Sequence, residues 1–238
     1  MSGNNNIKKL DNFLMEEVRH NLDVSKESET SERRWRIVKL GEIIDVRRNK
    51  NVPIPEHVAF ISMDLIPNDR IYCKFEVRRR KEVKSFVYCE TGDILLAKIT
   101  PCFENGKQGI VPEDVPNGFA LATTEVFPIV PKSVYRLFLF YLLKHPRYRK
   151  FLEYSMRGTT GRLRVPKEAL MKLEILLPPI EEQHKIAEIL STVDEAIRLV
   201  DESIARTERL KKGLMQELLT KGIGHKEFKQ TEIGKIPK

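Results

Sequence analysis

A long heptad-spaced apolar seam near the C-terminal end restricts the fold of this chain more than any other feature. Alternating steps of four and three from Ile186 pass through Leu190, Val193, Ile197, Val200, Ile204, Thr207, Lys211, Leu214 and Leu218. Eight of these ten positions are apolar, a spacing that belongs to helices packed along one stripe. Upstream, Pro178-Pro179 ends an apolar strand-like run. Pro179 stands where the first turn of a helix tolerates a missing N–H, and Glu181 and Glu182 follow where the helix dipole favours acid. Gly222 and Gly224 supply the stop. One helix over 182–220 is about 58 Å long at ~1.5 Å per residue, more than a domain built from the rest of the chain can enclose. It therefore needs a second helix. Thr207 and Lys211 interrupt the stripe, so a partner either splays there or supplies a polar contact.

Charge separates this helix from the rest. The 238 residues carry a net +8, but residues 171–238 hold 12 basic and 12 acidic side chains, whereas residues 31–170 hold 26 and 16. The basic excess belongs to the middle of the chain. A phosphate polyanion accounts for that asymmetry, because Lys and Arg gain by releasing its counterions; a solvated basic face without a partner is the other reading. At 41% hydrophobic and 32% charged, the chain can bury a core and has room for one large or two small domains. No apolar run approaches the ~18 residues that span a bilayer, and MSGNNNIKKL lacks the apolar core of a signal peptide. The expectation is a cytoplasmic protein with no membrane contact. Three widely spaced cysteines, Cys73, Cys89 and Cys102, fit core filling better than a disulfide framework or a zinc site.

Along the chain, residues 7–22 place Ile7, Leu10, Phe13, Leu14 and Val18 at helical spacing, and a polar linker, 23–32, follows. From Trp35 the texture changes to short β-favouring runs, WRIVKL, HVAFISMDLI, IYCKFEV, KSFVYC, DILLAKI, QGIV and EVFPIV, punctuated by turn residues. The stretch SVYRLFLFYLLKHPRYRKFLEY predicts a helix interrupted or bent near Pro146. A Gly/basic loop, Met156–Arg164, then leads through Val165–Leu170 to a last strand, LEILLP, and residues 225–238 trail off as loop.

Three basic elements are candidates for nucleic acid. MRGTTGRLR (156–164) offers Arg157, Thr159, Thr160, Arg162 and Arg164 around two glycines. Arginine forks address phosphates or guanine edges, and glycine permits close backbone approach; an ordinary charged connection is the plainer reading. Arg78, Arg79, Arg80, Lys81 and Lys84 form a second cluster, which suits a phosphate backbone or, equally, an edge strand guarded against aggregation. The third, Lys98–Lys107, contributes Lys98, Thr100 and Lys107 around a turn.

No catalytic constellation is complete. Leu177-Pro178-Pro179-Ile180 lacks the amide-, hydroxyl- or acid-bearing residue before the prolines, and the aromatic after them, that hold a flipped base in amino-methyltransferases. No glycine-rich cofactor loop follows a strand. Asp69 with Glu82-Val83-Lys84 has nuclease-like spacing, but a strongly basic stretch opposes the metal that such chemistry needs. The five histidines are scattered, with no nucleophile–base pair in view. Neither a catalytic residue nor a metal ligand is expected.

The stretch from Gly158 to Ile223, containing LPPIEEQ and the heptad helix, closely resembles the conserved region of type I restriction-modification specificity (S) subunits, in which a target-recognition domain ends in a strand and L-P-P-x-x-E-Q opens a long helix. Upstream marks agree in order: Trp35 with Leu40-Gly41-Glu42-Ile43, Gly92-Asp93-Ile94-Leu95-Leu96-Ala97-Lys98, and Thr123-Thr124-Glu125. Thr231–Lys238 looks like the segment that introduces a further recognition domain. The usual subunit has two recognition domains and two long helices; this chain has one of each, as a natural single-domain form, a truncated gene product or a fragment.

The resemblance implies an α+β fold: an N-terminal helix and linker (1–30), a β-rich mixed target-recognition domain (31–178), a long coiled-coil helix (179–222) and a tail (223–238). It implies a non-catalytic subunit that reads double-stranded DNA and directs a methyltransferase (M) subunit, and through it a restriction (R) subunit, to a bipartite site. S-adenosylmethionine, ATP and Mg²⁺ are then bound by the partners and none by this chain. The seam residues Ile186, Leu190, Val193, Ile197, Val200, Ile204, Leu214 and Leu218 become a subunit interface. A homodimer is its simplest form, with antiparallel helix pairing taken from the resemblance. Two readings from other classes stay open on the residues alone: a coiled-coil assembly protein whose basic domain ignores DNA, and a stand-alone nuclease or methyltransferase.

Overall fold

A computed structural model describes residues 34–50, 52–159, 161–232 and 234–237. The expected amphipathic helix at 7–22 and linker at 23–32 lie outside the described residues. The chain divides into two compact units between Glu188 and Ile189.

The first unit is built on two four-stranded sheets. One has the order β2 (Ile44–Val46), β9 (Val126–Pro131), β6 (Ile94–Ala97), β7 (Gln108–Ile110), all antiparallel. The other has the order β4 (Glu76–Arg79), β3 (His57–Ile61), β8 (Phe119–Ala122), β5 (Val87–Glu90), in which β3 and β8 run parallel. The continuous run ILLA of β6 is apolar at every position because both its faces are covered. Leu95 joins Ala59, Ile61, Ala120 and Ala122 of the second sheet in one core cluster, while Ile94 and Leu96 join the helices in another. Alternation works the same way in β3, where Val58 and Phe60 point to a third cluster with Tyr88 and Leu121.

The helices α2 (Arg136–Lys144) and α3 (Pro146–Tyr154) cover the first sheet through Phe138, Leu139, Phe140, Leu143 and Leu152. The break between them falls at His145, where Pro146 removes a helical donor and opens the next helix at its first position. The two ends of the unit close on each other: β1 (Arg36–Lys39) pairs antiparallel with β12 (Glu174–Leu177), and the Leu40 N–H at the start of α1 (Leu40–Ile43) donates to the Leu173 carbonyl.

Four local expectations are corrected. The run 71–77 is not a strand throughout: Tyr72 makes one isolated bridge to Ile110, and pairing begins at Glu76 and continues past the run, so Arg78 and Arg79 lie inside β4. Met156–Arg164 is not a loop but an antiparallel hairpin, β10 (Arg157–Thr159) with β11 (Arg162–Arg164). Residues after Val165 form α4 (Lys167–Lys172) before β12 begins. The tail is not loop: in the second unit β13 (Phe228–Thr231) and β14 (Gly234–Pro237) pair as a hairpin, whose register no local hydrophobic alternation announces.

The long helix α5 runs from Ile180 to Lys221. Its first turns are fixed by Gln183 and Ala187, 2% and 0% exposed. From Leu190 onward the apolar seam is open: Val193, Ile197, Val200 and Ile204 are each more than half exposed. Arg198 pairs with Glu195 and Glu202, and Arg206 with Glu202, at i,i+3 and i,i+4 spacing. By helical periodicity these charges fall on the face opposite the seam. No helix of the described residues is long and apolar enough to cross a membrane.

Candidate nucleic-acid interface

The hairpin β10–β11 is the most exposed basic element of the first unit. Arg157, Thr159, Arg162 and Arg164 are exposed, whereas Thr160 lies outside the described residues. Gly158 has φ +145°, and a Cβ there would meet the Arg162 carbonyl oxygen at 2.4 Å. Only glycine lets the two strands approach so closely.

The hairpin is tied to the sheet beyond β6. Thr100 N–H donates to the Leu163 carbonyl (3.0 Å), Val165 N–H to the Lys98 carbonyl (2.8 Å) and Lys98 N–H to the Glu125 carbonyl (3.0 Å), and Ile99 bridges Arg164. The backbones of Glu125 and Arg164 therefore flank one short segment, 98–100, and their side chains meet. Arg164 Nε donates to Glu125 Oε2 at 2.9 Å and Nη2 to Oε1 at 2.7 Å. This hydrogen bonding, opposed by partial burial and aided by the charges of Arg164, Lys98 and Arg162, holds the Glu125 carboxyl below its ordinary range. Lys98, half-buried, rests its ammonium 5.3 Å from the centroid of Phe127, and burial lowers its pKa. Thr100 Oγ1 donates to Glu104 Oε1 at 2.7 Å. Beneath this turn the Arg149 guanidinium lies 4.5 Å from the centroid of Phe103; burial pushes its pKa down to about 10.

The candidate residues thus divide. Arg157, Thr159, Arg162, Arg164, Lys98 and Thr100 come together around one backbone junction. Lys107 comes near it in the chain but spends its ammonium inward, donating to the Met63 and Ile66 carbonyls at 2.9 and 3.0 Å. The cluster at 78–84 belongs to the edge strand β4 and the turn after it, and no backbone pairing among the described residues joins it to the hairpin. There Arg78 pairs with Glu76 and lies over Phe60, and Arg80 donates to the Val83 carbonyl and lies over Phe86. Arg79, Lys81 and Lys84 are exposed.

Among the described residues no group of three or more His, Cys, Asp or Glu side chains converges as a metal site. Cys73 and Cys89 fill the core between the sheets, and burial raises the Cys73 thiol to about 12. The Pro178 carbonyl accepts the amide of Gln183 (2.8 Å), and Gln183 Oε1 accepts the Tyr135 N–H (2.8 Å). Tyr135 in turn stacks on His184 at 3.8 Å, and Trp35 Nε1 donates to Glu182 Oε2 at 2.8 Å. The residues of LPPIEEQ thereby clamp the helix start to the domain. Sequence reasoning missed this clamp and the Glu125–Arg164 pair. Glu125 is visible as a motif residue, but nothing in its spacing points to an arginine 39 positions away.

Comparison with known proteins agrees with this architecture. Residues 32–209 match the family model for the type I restriction modification DNA specificity domain. The EcoAI specificity subunit of Escherichia coli is 31% identical over 206 residues, covering 84% of this chain and 31% of that protein. The MjaVIII specificity subunit of Methanocaldococcus jannaschii is 33% identical over 213 residues, covering 85% of this chain and 46% of that one. The chain thus spans less than half the length of these curated relatives. Among solved structures, the HsdS subunit from Thermoanaerobacter tengcongensis shares the fold with a TM-score of 0.56 at 20% identity, over 82% of this chain and 50% of that one. The S subunit from M. genitalium gives 0.51 at 17%, over 81% and 48%. With three quarters of its length matched by that family model and relatives more than 30% identical over more than four fifths of it, the chain belongs to the type I restriction-modification DNA specificity family.

Proposed function

We propose that this chain is a DNA-reading specificity subunit without catalytic activity of its own, acting in the cytoplasm to direct methyltransferase and restriction subunits to a bipartite site. The observation that carries the reading is the β10–β11 hairpin. It is a glycine-shaped, arginine-bearing element fastened to the segment that continues β6, in a part of the chain rich in unneutralised positive charge, where phosphate contacts position and groove contacts specify. S-adenosylmethionine, ATP and Mg²⁺ belong to the partner subunits in this scheme.

The seam of α5 serves as the assembly surface. Its side chains forgo burial in the isolated chain, at roughly 1.5–3 kcal/mol for each large apolar side chain that a partner fully covers. Pairing with a second copy places two recognition domains on one two-fold axis, and such a dimer prefers two inverted copies of one half-site. Arg157 and Arg162, whose side chains make no hydrogen bond or ion pair among the described residues, are the phosphate contacts of this scheme. In a shift assay on duplex DNA, Arg157→Ala/Arg162→Ala lowers affinity and reduces the slope of log K against log salt by about 0.9 for each phosphate that is no longer neutralised. An unchanged slope removes the hairpin from the interface.

A further inference from the structure

We propose that Arg164 reads a guanine in the target half-site, and that Glu125 is the positioning residue that aims it. This rests on the DNA-reading function proposed above and names the residue that gives it part of its specificity.

The geometry of the pair carries the inference. Glu125 takes the side-on edge of the guanidinium, accepting from Nε and Nη2. The end-on edge, one hydrogen of Nη1 and one of Nη2, is left with no partner among the described residues. That edge is a two-donor fork of the shape that meets guanine O6 and N7 in the major groove. The Arg164 side chain is 46% exposed and the Glu125 side chain 28%, so the arginine is the more accessible member of the pair. Both backbones hydrogen-bond or bridge to the 98–100 segment, so the pair is fixed by sheet geometry rather than by two free side chains.

Charge decides between a base and a phosphate. The Arg164 cation is already neutralised by Glu125, and a phosphate brought to its free edge would also meet the field of that carboxylate. A guanine edge is an uncharged pair of acceptors, and a neutralised fork with its rotamer already fixed suits it. Arg157 and Arg162 form no ion pair among the described residues and suit phosphate instead. A carboxylate aimed at an arginine within a basic patch has no use in non-specific binding, where it only weakens the field.

The test selects duplexes bound by the 238-residue chain from a randomised DNA library, with salt titration on one enriched and one unrelated duplex. The wild type should enrich a half-site containing an obligatory G·C pair. In Arg164→Ala that pair becomes degenerate, losing roughly 5- to 150-fold discrimination, while other positions and the salt slope on unrelated duplex stay unchanged. Glu125→Gln, which keeps the shape and removes the charge, should weaken discrimination at the same position and at no other. Thermal melting confirms that each variant is folded, and Arg164→Met, which retains the aliphatic stem, replaces the alanine variant if that one is not. A uniform affinity loss with a salt slope lower by about 0.9 would make Arg164 a phosphate contact and overturn the proposal. So would an intact preference at every position. A Glu125→Gln motif identical to the wild type's overturns the positioning role. A wild type that enriches no sequence overturns the DNA-reading function itself, and this inference with it.

Discussion

Replacing Gln183 tests whether the LPPIEEQ residues hold the start of the long helix on the domain. Gln183 is 2% exposed and makes two bonds of 2.8 Å, accepting from the Tyr135 N–H and donating to the Pro178 carbonyl. Alanine leaves both backbone groups unpaired, at about 1–3 kcal/mol each, so Gln183→Ala should lose about 2–6 kcal/mol of unfolding free energy. Glutamate at this position separates the two bonds. It keeps an acceptor for Tyr135 but sets a carboxylate oxygen against the Pro178 carbonyl, and burial together with that repulsion raises its folded pKa above the usual ~4.3. A raised folded pKa means stability that is complete below the unfolded value and lost as pH rises through the folded one. Gln183→Glu should therefore lie close to wild type below about pH 4 and fall behind it toward neutrality. The chain's single tryptophan, Trp35, bonds to the neighbouring Glu182, so urea unfolding followed by its emission reports on this junction. An alanine variant within about 1 kcal/mol of wild type, or a glutamate variant whose deficit grows on acidification, would refute the clamp.

The assembly surface and the thiols give further tests. Val193→Asp/Ile197→Asp puts two charges into a seam whose wild-type side chains are 52% and 55% exposed, and should weaken self-association on the order of 100-fold or more by sedimentation. A wild type that sediments as a monomer at micromolar concentration leaves the methyltransferase subunit as the helix partner. Under native conditions at pH 8 a thiol reagent should label Cys102, which is half-buried, and spare Cys73 and Cys89. Rapid labelling of all three would mean that the core between the sheets opens readily.

Some of this protein is written in its sequence because the controlling forces are local. The heptad spacing from Ile186 to Leu218 follows from the helical repeat, and the helix spans Ile180–Lys221 with that seam exposed. Pro146 breaks α2 from α3 because a ring without an N–H cannot continue a helix. DILLAKI reads as a β-favouring run, and β6 lies within it. The location of the basic excess needs only counting. The tertiary structure alone decided which charges face outward and which are spent. Lys107 and Lys98 look equivalent along the chain, yet Lys107 caps two carbonyls of the 63–66 turn. Glu125 meets Arg164 across 39 residues and Trp35 meets Glu182 across 147, because strand order β2–β9–β6–β7 and the closure of β1 on β12 bring them side by side. Periodicity encodes which face of an element is apolar. It does not encode which element lies next to it, and a pair such as Glu125 and Arg164 exists only once that neighbour is chosen.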